Sequence, residues 1–130
     1  MSRDDLVLTN MRIVREVTER VVQYSPNCTI IVVANPLDAM TQLALHISKF
    51  PWSKVSGQSG ILDSARFRTF VAQDLGVSAK DVSSCVLGGH GDTMVAVTRL
   101  CTVGGVPLAE RLSKEKVDSP VEHTVKGGVK

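Results

Sequence analysis

The sequence predicts an α/β fold in which a parallel strand–helix–strand unit gives way, near residue 58, to antiparallel structure. Three observations carry this. Thr29-Ile30-Ile31-Val32-Val33-Ala34 is a β-branched run with no polar alternation, the pattern of a central parallel strand covered by helices on both faces. A helical pattern and a second short strand, Lys54-Val55-Ser56-Gly57, follow it in the order of a right-handed crossover. Beyond them, two extended runs, Val82 to Leu87 and Met94 to Cys101, lead into the hairpin turn signal Val103-Gly104-Gly105-Val106. At 130 residues the chain is one domain by size, or parts of two.

The first helix has a natural N-cap in Ser2, and Asp4 and Asp5 suit its positive end. Val7, Met11, Val14, Val17 and Val21 recur at helical spacing, with Arg12, Arg15, Glu16, Glu19 and Arg20 largely on the other faces. Ser25-Pro26-Asn27 is turn chemistry and ends this helix near Tyr24. Arg3, at the helix start, is either a ligand contact or a solvated terminal arginine. The strand that begins at Thr29 stops at Asn35-Pro36. Ligands gather at the carboxyl ends of strands in open α/β sheets, so Asn35 is either a ligand contact or a turn residue before proline.

Leu37, Met40, Leu43, Ala44 and Ile47 form a second amphipathic helix, closing near Phe50-Pro51. His46 lies on or beside its apolar face and is given no role; Trp52 falls in the following loop. A third helix runs through Leu62, Ala65, Phe70, Val71 and Leu75 and ends at Gly76, a good residue for the left-handed position after a helix. After the two extended runs, Leu108 to Leu112 fits a short helix. Ser119-Pro120 opens another, because proline is tolerated in a first turn.

Composition excludes several function classes. A net charge of +2 is too small to argue for nucleic acid or an acidic membrane surface. No apolar run has the length of a membrane span, and the N-terminus lacks a signal-peptide pattern. Cys28, Cys85 and Cys101 are an odd number, widely spaced and without paired metal-ligand spacing. They read as reduced, mostly buried thiols of a soluble cytoplasmic protein.

The chemistry concentrates in two stretches. Val86-Leu87-Gly88-Gly89-His90-Gly91-Asp92-Thr93 sets one histidine among glycines where a strand-like run ends, so the backbone can turn sharply and approach a bound molecule. In Leu62-Asp63-Ser64-Ala65-Arg66-Phe67-Arg68, Asp63 and Arg66 stand three residues apart on one helix face, near the helix start for Asp63. A histidine, a carboxylate and a guanidinium form a set suited to oxidising an alcohol or reducing a ketone. The imidazole exchanges the hydroxyl proton, the carboxylate fixes its tautomer, and the arginine holds a substrate carboxylate through two parallel hydrogen bonds. Since no side chain accepts a hydride, a nicotinamide must. The same residues also fit an intrahelical Asp63–Arg66 salt bridge beside a loop histidine.

Four ordered motifs resolve the choice by resemblance. Ser2-Arg3-Asp4-Asp5-Leu6 with Asn10, Val33-Ala34-Asn35-Pro36-Leu37-Asp38, Gly60-Ile61-Leu62-Asp63-Ser64-Ala65-Arg66-Phe67-Arg68 and Gly88-Gly89-His90-Gly91-Asp92 resemble the lactate/malate dehydrogenase family over essentially the whole chain. The resemblance implies that residues 1–58 are the C-terminal part of a Rossmann NAD-binding domain. It implies that residues 59–130 are the first part of an α+β catalytic domain. By position, His90 is similar to the family's catalytic acid/base and Asp63 to its orienting carboxylate. Arg66 resembles the arginine that clamps the substrate carboxylate, and Arg3 the mobile-loop arginine that polarises the reacting carbonyl. Asn35 resembles the residue that contacts both nicotinamide and substrate, while Asn10, Val33 and Ala34 fall where the family touches NAD.

The run from Gly88 to Val95 looks like the malate branch, because lactate enzymes usually carry glutamate at the position of Gly89. The resemblance therefore implies the reversible, NAD-dependent oxidation of (S)-malate to oxaloacetate, a step of the tricarboxylic acid cycle, in a homo-oligomer (dimer or tetramer). L-lactate oxidation is the alternative, since the arginine that meets the second carboxylate in that family would precede Met1. The 130 residues also contain no G-x-G-x-x-G turn after a strand and no acidic residue placed for a ribose. The resemblance implies that the first nucleotide-binding half precedes Met1 and the closing helices follow Lys130. A further expectation is that the chain alone is a non-catalytic fragment that does not hold NAD. Its Thr29–Ala34 strand would then expose an edge and an apolar face.

Overall fold

A computed structural model describes residues 3–91 and 93–126, and within it the side chains of residues 3–6, 114–116 and 126 are outside the described set. The chain divides into two compact units, Met1–Ser59 and Gly60–Lys130. The Ser2 cap of the first helix lies outside the described residues, as do the Asp4 and Asp5 side chains.

In the first unit, α1 (Arg3–Tyr24) is followed by β1 (Ile30–Val32), α2 (Leu37–Ser48) and β2 (Val55–Gly57). β1 and β2 pair in parallel, Ile30 opposite Val55 and Val32 opposite Gly57, so the strand–helix–strand unit forms as expected. Helix α2 crosses between them because Leu37, Met40 and Ala44 recur on one face and are buried there. These residues join Val32 and Val55 in one core, against which Val7, Met11 and Val14 of α1 and Ile30 of β1 also pack.

The strand is shorter than the six-residue run suggested, and its burial corrects one expectation. Both helices gather on the side of Ile30 and Val32, whereas Ile31 and Val33 are 63% and 70% exposed. Successive strand residues point to opposite faces. A purely apolar strand thus requires cover on both, and these two helices supply it on one. The open face of β1 matches the expectation drawn for this chain by itself.

In the second unit, α3 (Gly60–Leu75) packs its buried Phe67, Val71 and Ala72 on a core completed by Val82, Val86, Cys101, Val103 and Leu108. Gly76 ends α3 at φ +64°, with Val77 N–H bonding back to Ala72 carbonyl at 3.0 Å, the left-handed termination that its sequence position predicts. The run from Val82 to Leu87, read as one strand, is two: β3 (Val82–Ser83) and β4 (Val86–Gly88). The next run, Met94 to Cys101, holds one strand, β5 (Met94–Ala96), then leaves the extended form for a 3-10 turn at Thr98–Leu100; β6 (Thr102–Val103) begins just beyond it. β4 pairs antiparallel with β5, and β3 with β6. The first run changes partners midway and the second is cut short by the turn, neither of which periodicity reveals.

β7 (Val106–Pro107) returns against β6 through Gly104 and Gly105, at φ +59° and +81°, the two positive values a type I′ hairpin turn needs. A single helical turn, α4 (Leu108–Arg111), and α5 (Lys114–Lys126) close the unit. Here a second expectation is corrected: α5 begins at Lys114, and Pro120 lies inside it rather than at its start. An interior proline costs a helix about 3 kcal/mol. Packing outweighs this locally, since Pro120 is fully buried and α5 lies along α3.

Candidate functional site

Helix α3 presents Asp63 from its first turn, where the backbone N–H groups favour negative charge. The carboxylate is buried, its side chain 3% exposed, and each oxygen has a charged or polar partner. Oδ2 meets Nδ1 of His90 at 2.8 Å, and Oδ1 accepts from Nη1 of Arg66 at 3.2 Å. A carboxylate in such a place must be paired or neutralised, so the environment itself calls for the histidine and the arginine. Arg66 follows Asp63 by three residues on one helical face. His90 comes from a segment 27 residues further along the chain.

The glycines around His90 explain how it reaches the helix. β4 ends at Gly88, whose φ of +90° is open to glycine, and a Cβ there would collide with the Thr93 carbonyl oxygen. Gly91 N–H bonds to the Gly89 carbonyl at 3.0 Å, placing His90 at the apex of a three-residue γ-turn. Met94 N–H then bonds to the Gly91 carbonyl at 3.0 Å, and the chain enters β5. The imidazole is lifted from the end of an antiparallel pair and held by a fixed carboxylate. Its side chain remains 19% exposed.

Chemically this is a proton-transfer unit with an anion-binding arm. Contact between Asp63 and Nδ1 selects the tautomer with the hydrogen on Nδ1. Proton exchange with a bound molecule then falls to Nε2. Arg66 spends one nitrogen on Asp63 and is one-third exposed, and a guanidinium has further donors in the geometry of a carboxylate. Asp63, Arg66 and His90 are therefore brought together, as their sequence pattern suggested.

The first unit holds the remaining sequence-derived candidates. Asn35 is exposed just past the carboxyl end of β1, with Val33 exposed and Ala34 half-buried beside it. Asn10, from α1, donates its side-chain amide to the Asn35 carbonyl. Arg3 opens α1, and its side chain lies outside the described residues. His46 and Trp52 are exposed and take no part in these groups. The three cysteines are free thiols; Cys101 is buried, Cys28 and Cys85 only half-buried.

Sequence reasoning missed Ser64 and Ser84. The Ser64 Oγ accepts the Val86 N–H at 2.9 Å, and the Ser84 hydroxyl donates to the Ser64 carbonyl at 3.1 Å. No pattern of residue types marks these serines; only the neighbourhood of Ser64 to Asp63 could have drawn notice.

Nearly the whole chain resembles known proteins. Residues 1–57 match the sequence profile described as lactate/malate dehydrogenase, NAD binding domain. Residues 61–130 match the lactate/malate dehydrogenase alpha/beta C-terminal domain. Malate dehydrogenase of Geobacillus thermodenitrificans strain NG80-2 is 58% identical over 128 residues, covering 98% of this chain and 41% of that relative. The malate dehydrogenase of Bacillus licheniformis is 59% identical over the same shares. Among solved structures, malate dehydrogenase from Salinibacter ruber superposes with a TM-score of 0.90 at 49% identity, over 98% of this chain and 42% of that one. Lactate dehydrogenase from Cryptosporidium parvum gives 0.84 at 46% identity, over 92% and 41%. The chain spans about 41% of the length of the curated relatives it matches.

Proposed function

The chain belongs to the lactate/malate dehydrogenase family, and on that basis we propose that it carries the proton-transfer unit of an NAD-dependent malate dehydrogenase. The observation that carries the proposal is the buried Asp63 carboxylate bridging His90 and Arg66. Residues 1–58 are assigned to the nucleotide-binding domain and 59–130 to the catalytic domain. His90 takes the hydroxyl proton of malate as base and returns it to oxaloacetate as acid. Asp63 holds the imidazole in the required tautomer, and Arg66 grips the carboxylate next to the reacting carbon. Arg3 is assigned to polarising the carbonyl, and Asn35 to contacting substrate and nicotinamide.

NAD, when bound, supplies the hydride acceptor. The residues of the first unit fit its nicotinamide end: exposed Val33 offers an apolar surface beside the Asn35 amide, at the strand end where such ligands collect. Asn10 steadies the backbone of Asn35 and, with Ala34, completes the assigned contact set. The phosphate cradle is not among these 130 residues, which contain no G-x-G-x-x-G turn. Accordingly, the isolated chain is expected to show no saturable NADH binding when the fluorescence of its single, exposed Trp52 is followed.

Malate is favoured over lactate by the likeness to malate dehydrogenases at 58% and 59% identity. A cytoplasmic homo-oligomer acting at the malate–oxaloacetate step of the tricarboxylic acid cycle completes the reading; among the described residues no helix is long and apolar enough to cross a membrane. The test is turnover of the full-length protein with oxaloacetate and pyruvate side by side. The expected kcat/KM favours oxaloacetate by about 100-fold or more, the discrimination a site makes when it pairs an otherwise desolvated group. A preference for pyruvate overturns the malate assignment. Saturable NADH binding by the 130 residues overturns the view that they cannot hold the cofactor alone.

A further inference from the structure

Ser64 follows Asp63 in the first turn of α3, yet its polar contacts run to a different element. Its hydroxyl oxygen accepts the Val86 N–H, and its carbonyl accepts the Ser84 hydroxyl. Val86 opens β4, which among the described residues pairs only with β5, so the N–H on the other edge of β4 meets no neighbouring strand among them. Val86 is only 3% exposed, so water is a poor substitute there. The Ser64 hydroxyl supplies the acceptor that a third strand would otherwise provide.

Position gives this bond its consequence. One end is covalently next to Asp63, and the other is at the start of the strand that ends at Gly88, two residues before His90. The bond therefore ties α3 to the strand that leads to His90, Ser84 adds a second tie from the link just before that strand, and the 2.8 Å contact between Asp63 and His90 joins α3 to the turn just after it. A working proton-transfer contact tolerates heavy-atom distances of only about 2.6–3.2 Å. A slip of a few tenths of an ångström between α3 and β4 is enough to leave that range.

We propose that Ser64, supported by Ser84, is a positioning residue for proton transfer: it clasps α3 to β4 so that Asp63 stays on Nδ1 of His90. The proposal rests on the reading of His90 as acid/base. A clasp of this kind acts on kcat through His90, whereas a bond that merely holds the fold together lowers the melting temperature and leaves kcat alone.

The test uses the full-length protein with Ser64→Ala, Ser64→Thr, Ser84→Ala and His90→Asn, and with Ser64→Ala combined with His90→Asn. Oxaloacetate turnover, NADH binding and melting temperature are measured for each. Ser64→Ala is expected to lower kcat about ten-fold, the scale of a sub-ångström misplacement, with oxaloacetate KM and NADH Kd changed less than about two-fold. Ser64→Thr keeps the hydroxyl and restores kcat, and Ser84→Ala lowers it by a smaller factor. In the His90→Asn background Ser64→Ala costs nothing more, because residues acting through one group are not additive. Unchanged kcat in Ser64→Ala, or an equal further loss in the His90→Asn background, overturns the clasp. If Ser64→Ala does not fold, Ser84→Ala decides: a kcat loss absent in the His90→Asn background supports the clasp, and no loss overturns it. Should His90→Asn abolish turnover while neither serine matters, the clasp alone falls. Near-normal turnover in His90→Asn removes the acid/base reading and the clasp with it.

Discussion

Asp63 shows how one buried carboxylate can set the chemistry of two neighbours. Each of its oxygens is committed, one to the His90 ring and one to the Arg66 guanidinium. Asp63→Asn keeps the shape but presents an amide to a nitrogen that needs an acceptor, so turnover should fall by about 100-fold or more while NADH binding persists. Steady-state kinetics together with a binding titration checks both halves. Cys101 offers a different test, because burial pushes its thiol up from the ordinary range. Its neutral form is favoured by folding. That contribution is complete below the unfolded-state pKa and is lost as pH rises from there through the folded-state pKa. The melting temperature of the wild type should consequently fall toward that of Cys101→Ala as pH rises from 7 to about 10. A gap that widens instead contradicts the assignment.

Elements depend on a few backbone positions where a side chain does not fit. Gly88 is the most restrictive, with φ +90° and the Thr93 carbonyl in the way. Gly88→Ala should destabilise the second unit by about 2 kcal/mol or more and displace His90. Gly76, by contrast, has φ +64° and nothing within 4 Å of the missing Cβ. Replacing it with alanine should cost only the left-handed backbone penalty, about 1 kcal/mol, without loss of turnover. Denaturant titration of the two variants separates a clash from a conformational preference. Helix α3 was legible in the sequence because both its dipole-facing acid and its terminating glycine are local signals. The divided strands were not. Val82–Leu87 is broken in two by pairing with two different partners, and Met94–Cys101 stops being a strand at a 3-10 turn, Thr98–Leu100; both depend on how the segments pack.

For the molecule as a whole, the main consequence is the open face of β1. Ile31 is exposed on β1 and Val33 just past its end, and among the described residues β1 pairs only with β2. Apolar strands with an unpaired edge promote association. The isolated 130-residue chain should therefore self-associate as its concentration rises, and Ile31→Thr with Val33→Thr should weaken this in sedimentation velocity. Phe67, fully buried in the second core, provides the contrast: Phe67→Ala should cost about 3–5 kcal/mol without relieving association.

The residue types and their spacing determined the first four helices, the parallel crossover, the hairpin turn at Gly104-Gly105 and the candidacy of Asp63, Arg66 and His90. All of these rest on interactions within a few residues, or on periodicities that one segment carries by itself. The tertiary structure decided which strands pair, where Pro120 falls in its helix, and that the imidazole of residue 90 meets the carboxylate of residue 63. Those outcomes depend on contacts between segments far apart in the chain. The serine clasp from α3 to β4 is of the same kind: two hydroxyls with no local signature acquire their partners only when the helix and the strand are packed together.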